Sequence, residues 1–134
     1  MSPAVLRLKR RPEFLRVAAS GRRWVTPGLI LQARRQPAGV ARDAVEAPVR
    51  IGFTVTRKVG NAVVRNRVRR RLRAVVDRVA VAHARGGQDY VLIGRAGTLR
   101  RPFDALVADL EAALRRLDGY RPDRRDDDTP RPSA

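Results

Sequence analysis

Apolar positions along this chain recur with two different periods, and the switches between them mark the elements. In Arg50-Ile51-Gly52-Phe53-Thr54-Val55-Thr56 the period is two. Ile51, Phe53 and Val55 share one side and small or polar residues the other, which predicts a strand with one face on a core. Arg57 to Asn61 read as a turn out of it, and the period then becomes helical. Val68, Leu72, Val75, Val76 and Val79 fall at i, i+4, i+7, i+8 and i+11, a core stripe on a helix from about Ala62 to Ala82. A shorter helix begins near Pro12, which suits a first helical position, carries Phe14, Val17 and Ala18 on one side, and stops at Gly21 in a left-handed conformation. Trp24 to Arg34, with Leu29, Ile30 and Leu31 contiguous, predicts a strand, and Tyr90 to Ile93 a buried one. Gly86-Gly87 separates the long helix from that strand. A last helix opens at Pro102 and aligns Phe103, Leu106, Val107, Leu110, Ala113, Leu114 and Leu117, with Gly119 near its end. Residues 1–11 read as an extended basic arm and 36–48 as a loop. The stretch 121–134 has too little apolar matter for a core and is expected to be a disordered tail. The order is α-β-β-α-β-α, with room for a further break between residues 24 and 49, in one domain over 1–120.

Charge sharpens this picture. Among 134 residues there are 30 Lys plus Arg against 13 Asp plus Glu, a net charge of +17. All but two of the cations, Lys9 and Lys58, are arginine. Such an excess fits a polyanion, nucleic acid first, and Arg offers a planar fork for phosphate and a face for stacking. No cysteine is present, so disulfides, thiol nucleophiles and Cys zinc sites are excluded. A single histidine, His83, excludes a His-rich metal centre and reads as a surface residue near a helix C-terminus. No apolar run approaches the ~20 residues of a membrane span, and the basic N-terminus lacks a secretory apolar stretch, so the cytoplasm is the expected location. Asp126, Asp127 and Asp128 read as a solvated acidic run. For Trp24, core and stacking platform both remain open.

The charge is concentrated. From Ala47 to Val76 there is no acid, and six arginines lie between Arg65 and Arg73. At 100° per residue with Val68 at zero, Arg65, Arg69 and Arg73 fall at about 60°, 100° and 140°, along one edge of the core stripe. Arg67 and Arg71 fall along the other edge, and Asn66 and Arg70 face outward. Like charges so close repel. A solvated helix face is the plain reading, but one acid-free for thirty residues, without intrahelical pairing, favours contact with phosphate backbones.

The run from Arg57 to Arg73, with Gly60-Asn61-Ala62 and then Arg65-Asn66-Arg67, closely resembles the signature of the bacterial ribonuclease P protein component. The resemblance extends to Ile51-Gly52-Phe53-Thr54-Val55, to Phe14-Leu15-Arg16-Val17 with Gly21, and to Tyr90-Val91-Leu92-Ile93, covering about residues 6–117. It implies an α/β (α+β) two-layer sandwich of order α-β-β-β-α-β-α. Helices would lie against a four-stranded sheet with a left-handed β-α-β crossover, as in a ribosomal-protein domain. It also implies a function: association with a large catalytic RNA that removes the 5′ leader of precursor tRNA. The RNA would supply the endonuclease chemistry with Mg²⁺, and the protein alone would bind no cofactor and be inactive.

Carried onto matching positions, the resemblance assigns Arg57, Lys58, Asn61, Arg65, Asn66, Arg67, Arg69, Arg70 and Arg73 to RNA. It assigns Phe14 and Val17 to a leader cleft between sheet and helix, although Phe14 alone reads equally as a core residue. Two departures bear on that cleft. Ala18 stands where relatives often carry a second aromatic ring, and Leu29 and Gln32 where they often carry an aromatic in the first strand. A ribosomal or other translation-associated RNA-binding protein would share the composition and fold class. A protein-only nuclease is disfavoured, because no carboxylate cage for Mg²⁺ appears in the basic middle of the chain.

Overall fold

The strand containing Ile51 is an interior strand of the sheet. The structure, a computed structural model, describes residues 4–37 and 47–120. Its elements in chain order are β1 (Val5–Arg7), α1 (Arg11–Ala19), β2 (Arg23–Val25), β3 (Leu29–Arg35), β4 (Val49–Thr54), α2 (Ala62–His83), β5 (Gln88–Gly94) and α3 (Phe103–Arg116). The strands lie in the order β1-β4-β5-β3-β2. β4 runs parallel to β1 and β5, whereas β3 is antiparallel to β5 and β2.

The α/β class holds, with five strands where four were expected. Val5–Arg7, read as part of an extended arm, pairs with Val49 to Ile51. The expected strand from Trp24 to Arg34 is two strands joined by a tight turn. The Thr26 hydroxyl donates to the Leu29 carbonyl at 2.7 Å, and the Leu29 N–H donates back to it at 3.0 Å. The Gly28 N–H donates to Asp109 on α3 at 3.1 Å, and a Cβ at Gly28 would lie 2.4 Å from the Leu106 side chain. Only glycine lets this turn tuck beneath α3. Arg101 holds the same carboxylate through two hydrogen bonds, of 2.5 and 2.9 Å. The start of the expected 36–48 loop is tied down: the Gln36 amide donates to the Pro48 carbonyl at 2.7 Å and the Gln88 carbonyl at 3.0 Å. The rest of that loop, 38–46, and the expected tail, 121–134, lie outside the described residues.

Period two separates the two faces of the sheet. Leu29, Leu31, Ile51, Tyr90 and Leu92 face α2 and α3 and form the main core with the whole predicted stripe, Val68, Leu72, Val75, Val76 and Val79. Gly94 allows the close approach of α2, since a Cβ there would meet Val68 at 2.5 Å. Among the described residues the opposite face receives only α1, through a small cluster of Leu8, Val17 and Val91. One face is therefore closed and the other half-open.

β4, α2 and β5 form a parallel crossover whose hand follows from chirality. With α2 toward the viewer and β4 running upward, an L-residue pointing at the viewer carries its carbonyl on the right. Ile51 faces α2, and its carbonyl accepts the Leu8 N–H at 3.0 Å on the β1 side. β5 thus lies to the left of β4, and the crossover is left-handed, against the usual preference.

Candidate nucleic-acid interface

β4 delivers the chain into a short 3-10 turn, Arg57–Val59, that leaves Arg57 and Lys58 exposed. Asn61 then caps α2, its Oδ1 accepting the Val64 N–H at 3.0 Å. This cap satisfies one of the free N–H groups of the first turn. It also engages the oxygen of a residue that the resemblance assigned to RNA, leaving the amide nitrogen as its free donor. Asn66, Arg67, Arg70 and Arg73 are exposed, and Arg65 and Arg69 half-buried. Arg69 donates to Asn66 Oδ1 at 3.2 Å, and the buried Nε of Arg65 has no partner. Among the described residues no carboxylate pairs with any of these cations. Arg71 differs: it donates to the carbonyls of Leu99 at 2.7 Å and Arg101 at 2.6 Å, clasping the β5–α3 connection to α2.

On the half-open face, α1 and the sheet enclose a cleft of about 520 Å³. Val91, Ile93, Thr54 and Gln32 belong to its sheet side, Phe14 and Ala18 to its helix side, and Lys9 and Arg11 give it positive charge. Phe14 is half-buried, its ring standing over Gly52 so closely that a Cβ on Gly52 would fall 2.4 Å from the ring. Phe14 packs on the Leu8, Val17 and Val91 cluster and also lines the cleft. Val17 corrects its expectation. It is fully buried beneath the cleft, so it supports the floor and presents no surface to a ligand. Of the two strand departures, Gln32 lines the cleft, whereas Leu29 is buried on the opposite face and has no bearing on it.

Two carboxylates on this face are neutralised by one arginine. Arg50 meets Asp89 through hydrogen bonds of 2.7 and 2.6 Å and Glu13 of α1 at 2.9 Å. The hydrogen bonds to Asp89 raise the Arg50 pKa, partly opposed by burial. Arg50 thus offsets both carboxylates and ties α1 to the sheet. The sequence counted it only as one more cation of the acid-free block; that it faces Asp89 follows from strand pairing across 39 residues.

Elsewhere, Trp24 lies on the edge strand β2 at 38% exposure, with the Arg116 guanidinium 4.9 Å from its ring centre. His83 is half-buried and stacks on Tyr120 at 4.7 Å. Among the described residues no three His, Cys, Asp or Glu side chains gather where they could hold a metal ion.

An unpaired row of arginines on one helix and a basic, ring-bearing cleft on a half-open sheet define an α/β protein built to bind nucleic acid. A family model described as Ribonuclease P matches residues 3–118. The ribonuclease P protein component of Paramagnetospirillum magneticum is 55% identical over 117 residues, covering 87% of this chain and 86% of that protein. That of Gluconacetobacter diazotrophicus is 54% identical over 116 residues, covering 87% and 94%. Among solved structures, the RNase P protein of Thermotoga maritima has a TM-score of 0.61 at 25% identity, covering 78% of this chain and 90% of that one. The Staphylococcus aureus RNase P protein has a similar fold, with a TM-score of 0.63 at 22% identity over 81% and 92%. The chain belongs to the ribonuclease P protein component family. It therefore has a role in an endoribonuclease complex, and the ribosomal alternative finds no support in these matches.

Proposed function

We propose that this chain is the leader-gripping subunit of ribonuclease P, in which a partner RNA carries the catalysis. The observation that carries this reading is the division of labour between two surfaces. An acid-free helix edge suits the backbone of a folded RNA, and a basic cleft lined by the Phe14 ring suits a single strand. Arg57, Lys58, Asn61, Arg65, Asn66, Arg67, Arg69, Arg70 and Arg73 face the RNA subunit or the precursor tRNA. Phe14 stacks on a base of the 5′ leader, and Val17 holds the floor under it. Thr54 of the cleft lies only three residues before Arg57, so a leader leaving the cleft at that end meets the basic turn.

Mg²⁺ belongs to the RNA active site, where it supplies charge stabilisation for phosphodiester hydrolysis. The protein's own residues act by binding and orientation. Arg and Lys neutralise phosphates, and the ring and cleft walls fix the leader relative to the RNA. The site of action is the cytoplasm; no helix of the described residues is long and apolar enough to cross a membrane.

Binding to the reconstituted complex tests the leader role. Affinities for precursor tRNA and leaderless tRNA are measured with RNA alone and with RNA plus protein. The protein is expected to add affinity for the precursor and little for the leaderless form. An equal gain on both would overturn the leader assignment.

A further inference from the structure

The end of the molecule remote from Arg65-Asn66-Arg67 carries a second basic surface. It forms where the C-terminal ends of α2 and α3 meet the starts of β2 and β5. Arg22 donates to the Gln88 side chain and to the Leu117 carbonyl, and the Arg85 N–H donates to the Gly119 carbonyl at 2.8 Å, so these segments make one continuous face. Two rings lie on it, each covered by an arginine. Arg116 sits 4.9 Å over Trp24, and Arg115 sits 4.1 Å over Tyr120, whose other face stacks on His83. Arg35 and Arg85, both exposed, belong to the same end of the sheet and helix. Among the described residues the one carboxylate found bonded to a side chain here is Asp118, 3.5 Å from Arg85.

We infer that this face is a second RNA contact, taking the phosphate backbone of a segment of the same RNA subunit distant from the one held at Arg65-Asn66-Arg67. The inference rests on the RNA-subunit reading above. The charge is predominantly positive and carried by arginine, which suits phosphate and stacks on rings and bases. The two surfaces lie at opposite ends of α2, with Asn66 and His83 separated along the helix by roughly 25 Å at 1.5 Å per residue. The sequence could not assemble this face, because Arg22, Arg85 and Arg116 come from three distant segments and Trp24 alone gives no sign of its partner.

The chain has no cysteine, so Val63→Cys near the start of α2 and Ala112→Cys, one turn before Arg116, each carry a unique thiol at an exposed position. Each is labelled with a photo-crosslinker in full-length protein bound to the cognate RNA subunit. Both are expected to cross-link to that RNA at different nucleotides. In parallel, Arg115→Gln/Arg116→Gln should flatten the slope of log affinity against log salt by about 1.5, at 0.7 to 0.9 for each phosphate neutralised. Its thermal midpoint and its preference for precursor over leaderless tRNA should be unchanged. Cross-linking from Val63→Cys but not from Ala112→Cys, or from Ala112→Cys only to polypeptide, would overturn this second contact and leave the first intact. A lowered midpoint with an unchanged slope would make Arg115 and Arg116 structural staples and also overturn it. No cross-link to RNA from either position would overturn the RNA-subunit reading itself.

Discussion

Phe14 and Gly52 form one device, a ring seated against bare backbone. If the ring stacks on a leader base, Phe14→Ala removes about 1 to 3 kcal/mol. Affinity for precursor tRNA should then fall roughly 5- to 150-fold while leaderless tRNA binding stays level. Equal losses on both RNAs, together with a large drop in thermal midpoint, would show the ring to be core alone. Gly52→Ala tests the same device from below. The added methyl must push the ring aside, at an overpacking cost of about 1 to 3 kcal/mol, and precursor affinity should weaken without any loss of charge. Tyr90 gives a separate, pH-dependent expectation. Burial raises its phenol pKa, which the nearby Arg22 and Arg85 only partly offset, while the hydroxyl donates to the Arg85 carbonyl at 3.2 Å. With the folded pKa above the unfolded value near 10, its contribution to stability is intact below that pH and lost above it. Midpoints measured from pH 8 to 11.5 should fall at the alkaline end, and less steeply in Tyr90→Phe. At this scale the sequence singled out residues without showing where they pointed. Phe14 and Val17 share a helix face, and only packing against the sheet divides them into a cleft wall and a buried support.

At the scale of elements, α2 is core on one side and carries a row of arginines on the other. Its apolar stripe was legible because 3.6-residue periodicity over 22 residues leaves little choice of face. The arginines at its edges were legible as a charge excess, but their separate tasks were not. Arg71 caps carbonyls of the β5–α3 connection, an interaction that spans about thirty residues and has no local signal. β1 was missed for a related reason: three residues are too few for alternation to show. Neutralising Arg65, Arg67 and Arg69 together should flatten the salt dependence of RNA binding by roughly 0.7 to 0.9 for each phosphate no longer held. An unchanged slope would remove this edge from the interface. Asn61→Ala should cost about 1 kcal/mol of stability through removal of the cap. A drop in RNA affinity beyond that of a simple cap variant would show that its amide nitrogen also touches RNA.

For the whole molecule, the decisive property is a sheet covered fully on one side and partly on the other. In the proposed reading the open half takes a strand of RNA, and the basic turn and helix begin at its margin. The α/β class and most of the element order could be read from hydropathy, while the left-handed crossover needed the paired strands β1, β4 and β5. The central claim is that this chain binds and positions RNA while a partner RNA performs the cleavage. Its most direct test is precursor tRNA cleavage by rigorously RNA-free protein, by the cognate RNA alone, and by the two combined, at low Mg²⁺. No cleavage by the protein alone, and a clear acceleration when it joins the RNA, is the expected result. Site-specific cleavage by the RNA-free protein, or no acceleration of the RNA by the protein, would contradict the account.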